Sequence, residues 1–234
     1  MNKISVLTLF PESFEFLNDY GVIGKAIQKN LLKLKIVNIR DFSTDKHKKV
    51  DDKVFGGKAG MLMQAEPVYQ AIRKTKTFNS RVIYMSPQGK LLDQKKVIEL
   101  SKYEDIVLLC GHYEGVDSRV INHFVDEEIS IGDYVLTGGE IPAMVLIDSV
   151  SRFIKGVLGN SESTKTDSHF STLLQYDEFT RPSNFRGYKV PSELISGDPK
   201  KIDSWNLKSS IEKTKKIRKD LFDRYKRENS DGFN

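Results

Sequence analysis

The sequence contains a single cysteine, Cys110, among 234 residues. An internal disulfide is therefore excluded, and a reducing compartment is expected. Because Cys110 falls in an apolar strand pattern, we interpret it as a small core residue and not as a nucleophile. No apolar run approaches membrane-spanning length, and the N-terminus leads into a strand without a signal-peptide pattern. These absences predict a soluble, cytoplasmic protein.

Several common ligand-binding motifs are also absent. The chain has no G-x-G-x-x-G, no Walker A loop, no H-E-x-x-H and no paired Cys/His set at zinc spacing. The usual dinucleotide, nucleoside-triphosphate and zinc sites therefore lose their main support. The four histidines show no metal pattern, and we assign none of them a catalytic role.

Positive charge is in mild excess and is concentrated near the C-terminus. The net charge is +5 and the sequence pI is about 9.0. Residues 200–228 carry eleven lysines and arginines but five acids. Helical patterns in this region predict one or two basic helices, which suit a polyanionic partner. A solvated helix face explains the same charges equally well.

Strand and helix patterns alternate from residue 4 to about residue 154. Strands such as 106–109 are apolar throughout, which is typical of strands covered on both faces. The order predicts an α/β domain with a mainly parallel sheet. Residues 159–169 are small and polar, which indicates a linker or lid. We therefore predict a first domain over residues 1–159, a flexible linker or lid over 160–174, and a basic helical domain over 175–234.

Three glycine-bearing turns follow three successive strands, at residues 86–89, 110–115 and 131–142. Glycine lets the backbone approach a ligand closely, and ligands bind at the carboxyl ends of parallel strands. Any one of these turns is explained by an ordinary chain reversal. Three in succession predict a single small-molecule pocket.

Short motifs along nearly the whole chain resemble one known family. The most specific is SIGDYVLTGGEIP at 130–142. It is joined by LFP at 9–11, DYG at 19–21, VDD at 50–52, FGG at 55–57, SPQG at 86–89, GHYEG at 111–115, RFI at 152–154, Thr-Arg-Pro at 180–182 and Val-Pro at 190–191. Together they resemble the bacterial tRNA (guanine-N1)-methyltransferases of the SPOUT superfamily.

The resemblance implies a fold and an activity. The fold is α/β, with a mainly parallel sheet, a deep C-terminal trefoil knot and a small helical C-terminal domain. The enzyme is a homodimer with composite active sites. It methylates N1 of the guanosine immediately 3′ of the anticodon in tRNA, with S-adenosyl-L-methionine as the donor. The product, 1-methylguanosine, maintains the reading frame.

The resemblance also assigns the donor site to the three turns. Backbone groups are expected to make most contacts, and aromatic and aliphatic side chains to enclose the adenine. The donor-binding residues implied are Tyr84, Ser86, Pro87, Gln88, Gly89, Gly111, Tyr113, Glu114, Gly115, Ile131, Gly132, Tyr134, Val135, Leu136, Gly138, Gly139 and Pro142. Glu114 would accept from the donor's amino group or help to hold Mg²⁺, and no protein metal site is predicted.

Two residues are implied to be catalytic. Guanine N1 carries a proton, so a general base must remove it while a cation faces O6. The resemblance makes Asp167 the base and Arg152 the partner of O6, with Asp51 as a further guanine contact. Locally, a loop or cap role would explain Asp167, and a helical pair with Asp148 would explain Arg152.

The chain departs from the family pattern at Lys58, where relatives commonly have glycine, and this change is expected to alter the flexibility of its loop. Two alternatives stay open. One is a SPOUT methyltransferase for another RNA position, and the other is a non-catalytic RNA-binding module.

Overall fold

The computed structural model describes residues 2–158 and 167–229. Contacts between Cα atoms divide the chain into two compact units, Met1–Gly159 and Asn160–Asn234. The described residues contain nine strands and seven α-helices. Among these residues, no helix is both long enough and apolar enough to cross a membrane.

The first unit is built on a five-stranded sheet. Its strands are β1 (Asn2–Thr8), β2 (Leu32–Asn38), β5 (Arg81–Leu91), β6 (Asp105–Cys110) and β7 (Glu127–Ser130), in the spatial order β2-β1-β6-β5-β7. Every neighbouring pair is parallel, which confirms the predicted sheet. All residues of the central strand β6 are buried, as its continuous apolar pattern predicts. The trefoil knot stays a prediction.

Helices cover both faces of this sheet. One face packs against α1 (Gly21–Gln28), α3 (Gln94–Leu100) and α5 (Glu140–Ser151), and the other against α2 (Ala65–Thr75) and α4 (Ser118–Phe124). Alternation along β6 explains the arrangement, because successive side chains of a strand point to opposite faces. Ile106 and Leu108 join the first layer, whereas Val107 and Leu109 join the second.

Two segments of the first unit have more detail than the sequence pattern showed. Residues 13–32 have helical spacing that is interrupted near Gly21 and Gly24. The structure divides this segment into a 3-10 helix, Pro11–Asn18, and α1, which begins at Gly21. The long polar loop over residues 41–61 contains β3 (Asp51–Lys53), which pairs antiparallel with β4 (Met61–Met63). Strands of three residues are too short to show a period in the sequence.

The second unit contains a short hairpin and two helices. β8 (Asn184–Phe185) pairs antiparallel with β9 (Tyr188–Lys189). The basic segment forms α6 (Pro199–Ile217) and α7 (Lys219–Glu228), as predicted. Asp198 caps α6 by accepting from the backbone N–H of Lys200 at 3.0 Å, and Pro199 occupies the first turn, where its missing N–H costs nothing. The sequence did not predict the hairpin, because its strands have two residues each.

The predicted linker, residues 160–174, lies partly outside the described residues, because residues 160–166 are not among them. From residue 167 the chain belongs to the second unit. There the backbone N–H of Leu174 donates to Thr214 Oγ1 at 2.8 Å, and that of Gln175 donates to Ser168 Oγ at 2.9 Å. A lid of this composition is also expected to be disordered over residues 164–171 when tRNA is absent. Residues 164–166 lie outside the described residues, and the expectation stays a prediction.

Asp105 joins the starts of β1 and β6. Its Oδ2 accepts hydrogen bonds from Lys3, Thr77 and Ser80 at 3.2, 2.9 and 2.8 Å. Burial raises the pKa of this carboxyl group, but the hydrogen bonds outweigh burial and hold the pKa below its ordinary value. Folding therefore favours the charged form. The resulting stabilisation is complete above the pKa of the unfolded chain, about 4, and is lost as pH falls through the lower folded pKa.

We expect Asp105→Asn to lower the free energy of unfolding by about 1–3 kcal/mol at neutral pH, because a neutral amide accepts these hydrogen bonds less strongly. The difference from the native chain should shrink as pH falls through the folded pKa, where the native carboxyl group also becomes neutral. Urea unfolding across this pH range measures both effects, with the exposed neighbour Glu104→Gln as the control. A difference that does not change with pH would contradict the assignment.

Candidate active site

A cavity of about 580 Å³ lies at the carboxyl ends of β5, β6 and β7. Its wall comes mainly from a bulge within β5 at residues 86–89, where the sequence predicted a turn after the strand, and from the turns that follow β6 and β7. The volume lies within the usual range of cofactor and small-molecule sites. The wall mixes aromatic and aliphatic side chains with the exposed backbone of the turns.

The first turn is a bulge within β5. Ile129 of β7 pairs with Met85 and pairs again with Lys90, so residues 86–89 leave the ladder between two paired segments. Ser86, Pro87 and Gln88 consequently line the cavity.

Gly89 is the exception among the predicted donor-binding residues. A Cβ atom there would lie 2.4 Å from the backbone nitrogen of Ile129, so the glycine packs against β7 and not on the wall. Its small size is required because the backbone of the bulge returns so closely to the neighbouring strand.

The second turn follows Cys110 and is attached to the β3–β4 hairpin. The backbone N–H of Glu114 donates to the carbonyl of Met61 at 2.8 Å, and that of Met63 donates to the carbonyl of Gly115 at 3.0 Å. Gly115 has φ +114°, a conformation that glycine adopts without steric cost. The hairpin thereby brings the loop that contains Lys58 to the cavity wall.

The third turn runs from Ile131 to the start of α5 and is joined to the second. The backbone N–H of Gly139 donates to the carbonyl of Gly111 at 3.0 Å. A Cβ atom on Gly139 would lie 2.7 Å from Cys110 Cα and 2.9 Å from the nitrogen of Gly111. The two turns therefore meet backbone to backbone, and a side chain at Gly139 would separate them.

A buried acid that sequence reasoning missed connects these parts. Glu140, in the first turn of α5, is 8% exposed. Its Oε1 accepts from Thr8 Oγ1 at 2.6 Å, and its Oε2 lies 2.7 Å from His112 Nε2. The carboxylate therefore joins the end of β1, the second turn and α5. An acid directly after two glycines, at the start of an apolar helix, is the signal that could have indicated it.

Two groups near the cavity are held neutral. Burial first, and then the charge of Glu128, raises the pKa of Tyr84 to about 12, so its phenol stays protonated and its ring serves as a flat wall. Cys110 is fully buried, and burial raises the pKa of its thiol. Its interpretation as a core residue is confirmed, because it packs among the buried residues of the sheet and α5.

The cavity brings together the predicted donor-binding residues other than Gly89. It also has wall residues that were not among the implied donor-binding residues. Two of them, His112 and Thr137, lie within the predicted turns; the others are Lys58, Glu128, Leu62, Met85, Val116, Ser118, Ile121, Asn122, Ile129 and Ser130. Lys58 Nζ lies 2.7 Å from Glu114 Oε2. In residues 2–158 and 167–229, no group of three or more His, Cys, Asp or Glu side chains is arranged to hold a metal ion.

The implied catalytic and guanine-binding residues belong to both units. Asp51 begins β3, where it pairs with Met63, and Arg152 directly follows α5. Within the described residues of the first unit, neither of these two is a wall residue of the cavity. Asp167 belongs to the second unit.

Comparisons with known proteins identify the family. A family model described as tRNA (Guanine-1)-methyltransferase TrmD matches residues 2–224. A relative from Finegoldia magna is 60% identical over 98% of this chain and 99% of its own length. Relatives from Endomicrobium trichonymphae and Ruminiclostridium cellulolyticum are 54% and 52% identical, over 94% and 97% of this chain and 98% and 99% of their own lengths. All three are named tRNA (guanine-N(1)-)-methyltransferase. The chain therefore belongs to the tRNA (guanine-N1)-methyltransferase family of enzymes.

Proposed function

We propose that this chain methylates N1 of the guanosine immediately 3′ of the anticodon in tRNA, with S-adenosyl-L-methionine as the methyl donor. The product is 1-methylguanosine, which maintains the reading frame, and the reaction takes place in the cytoplasm. The observation that carries the proposal is the cavity at the three strand ends, in a chain that belongs to a tRNA (guanine-N1)-methyltransferase family.

The chemistry of the wall fits this donor. Tyr84, Tyr113 and Leu136 provide aromatic and aliphatic surface for an adenine ring, and Pro142 adds to it. The turn backbones supply hydrogen-bonding groups, and Glu114 supplies a negative charge for an amino group. When bound, S-adenosyl-L-methionine supplies a methyl group on a positively charged sulfur, which is already a good electrophile.

The remaining task is to activate the acceptor. Guanine N1 carries a proton, and negative charge builds on O6 when that proton leaves. We assign proton removal to the carboxylate of Asp167 and stabilisation of O6 to the guanidinium of Arg152, whose planar fork suits an oxygen acceptor. Asp51 is assigned to a guanine contact. These roles rest on the match of the surrounding residues to the family pattern.

The second unit supports tRNA binding through its charge. The helices α6 and α7 carry most of the positive excess, and exposed lysines such as Lys200, Lys208 and Lys215 suit phosphate contacts. Such contacts make affinity fall with salt. The target base must also leave its stack before N1 can meet the methyl group. The resemblance further supports a homodimer with composite sites and a knot at the three turns.

The test is methyl transfer from labelled S-adenosyl-L-methionine to an unmodified tRNA transcript. The paired substrate carries A in place of the G beside the anticodon. Incorporation into the first transcript alone is expected. Equal incorporation into both would keep the methyltransferase and overturn the proposed target. Donor binding without incorporation into either would favour a non-catalytic RNA-binding module.

A further inference from the structure

The β8–β9 hairpin of the second unit exposes two aromatic residues. Phe185 and Tyr188 are directly opposite each other in its ladder. Opposite residues of an antiparallel pair point to the same face of the hairpin. They are 60% and 81% exposed, although large aromatic side chains gain most stability when they are buried. The hairpin therefore presents two rings on one face, and both are open to a ligand.

The position of these rings is fixed by the hairpin itself. Arg186 and Gly187, the two turn residues, have φ angles of +53° and +90°, and positive φ at both positions is typical of the turns that close two-residue hairpins. The backbone N–H of Gly187 donates to Asn184 Oδ1 at 3.0 Å. At the base, the backbone N–H of Val190 donates to the carbonyl of Ser183 at 2.9 Å. The two rings are therefore held in place without being packed into a core.

The charge around the rings is positive. Residues 179–192 contain Arg181, Arg186 and Lys189 and no acid, and all three cations are exposed. The guanidinium carbon of Arg186 lies 5.4 Å from the ring centre of Phe185. Open aromatic rings beside cations suit a ligand that has a flat π-system close to an anionic group. An unpaired nucleotide has both, in its base and its phosphate.

We propose that Phe185 and Tyr188 form a stacking surface for unpaired bases of the tRNA, and that Arg186 contacts the phosphate of a stacked nucleotide. Bases in a duplex are covered by their neighbours, whereas bases in loops and at ends can stack on aromatic side chains. The surface is therefore selective for the unpaired parts of the RNA. This inference rests on the proposed function for the identity of the RNA, and it adds a site to the phosphate contacts of α6 and α7.

Binding of the full chain to an unmodified tRNA transcript, and to an RNA duplex without unpaired bases, tests the stacking. Phe185→Ala and Tyr188→Ala should each weaken tRNA binding by about five- to 150-fold, the range for one stacked base, and leave duplex binding unchanged. Phe185→Trp should retain the affinity because indole also stacks, whereas the apolar but non-aromatic Phe185→Leu should not. Phe78→Ala, which removes an exposed ring of the first unit, is the matched control. Fluorescence anisotropy of the labelled RNAs measures all of these affinities.

Salt dependence separates the rings from the cation. Arg186→Met should reduce the slope of log affinity against log salt by about 1, because one phosphate contact is lost. The alanine variants of Phe185 and Tyr188 should keep the native slope, since stacking releases no counterion. An unchanged slope in Arg186→Met would overturn the phosphate contact.

Each remaining outcome overturns a distinct statement. Unchanged tRNA affinity in Phe185→Ala and Tyr188→Ala would overturn the stacking surface and leave the methyltransferase proposal intact. An equal loss for tRNA and duplex would mean that the hairpin contacts only the RNA backbone, which also overturns stacking. A loss accompanied by a lower molecular mass in light scattering would mean that the rings join two copies of the chain instead. If the native chain binds no tRNA, the proposed function fails together with this inference.

Discussion

Asp167→Asn is expected to lower the rate of methyl transfer to tRNA by about 10²–10⁴-fold, the usual contribution of a general base. An amide keeps the size of the side chain but cannot accept the proton of guanine N1, so the acceptor remains a poor nucleophile. Donor affinity should stay unchanged, because the proposed role of Asp167 concerns the acceptor guanine and not the donor. Single-turnover methylation measures the rate, and calorimetry with S-adenosyl-L-homocysteine measures the binding.

A matched control comes from the same unit. Asp203 is an exposed acid of α6, and Asp203→Asn should leave the rate within about twofold, because a solvated surface carboxylate takes no part in the proton transfer. A loss of less than tenfold in Asp167→Asn would remove Asp167 from the role of base. A loss of donor affinity would instead indicate that Asp167 contacts the donor.

Gly139→Ala is expected to have the second largest effect, on the donor site. Gly139 has φ −83°, which alanine adopts freely. Any effect of the substitution therefore comes from steric contact of the new methyl group and not from backbone strain. The new methyl group would lie 2.7 Å from Cys110 Cα, and the second and third turns would have to separate. Overpacking of this kind costs about 1–3 kcal/mol of stability. Because both turns line the cavity, donor affinity should fall at least about tenfold.

The comparison variant is Gly57→Ala. A Cβ at Gly57 meets open space, but φ is +76°, so alanine there is strained without colliding. We expect a loss of about 1 kcal/mol in stability with donor affinity retained. Thermal unfolding and calorimetry of both variants separate the two effects. Retained donor affinity in Gly139→Ala would show that the wall does not depend on the contact between these two turns.

Local patterns predicted much of the first unit. The apolar strand pattern at 106–109 lies within β6, because a continuous run of apolar residues is a strong local signal. The three turns were identified as one pocket because carboxyl ends of parallel strands lie along one edge of a sheet. The three glycine-bearing turns could therefore be placed together without knowing any contact.

Contacts between distant residues could not be predicted in the same way. Thr8 and Glu140 are 132 residues apart in sequence, and Lys58 and Glu114 are 56 apart. No local pattern indicates that either pair meets. Gly89 shows the same limit, because its sequence context is that of a turn while its role is to let the bulge approach β7. Gly89 and the glycines of the cavity wall look alike in sequence, and only their packing shows that their roles differ.

The bulge in β5 also restricts how this turn can change over evolution. Turns at protein surfaces usually tolerate inserted and deleted residues. In this one, β5 resumes pairing with β7 at Lys90 and Leu91, directly after residues 86–89. Adding or removing one residue would slip that pairing and reverse the direction of every later side chain of the strand. The register of the sheet therefore opposes the insertion or deletion of a single residue in this turn.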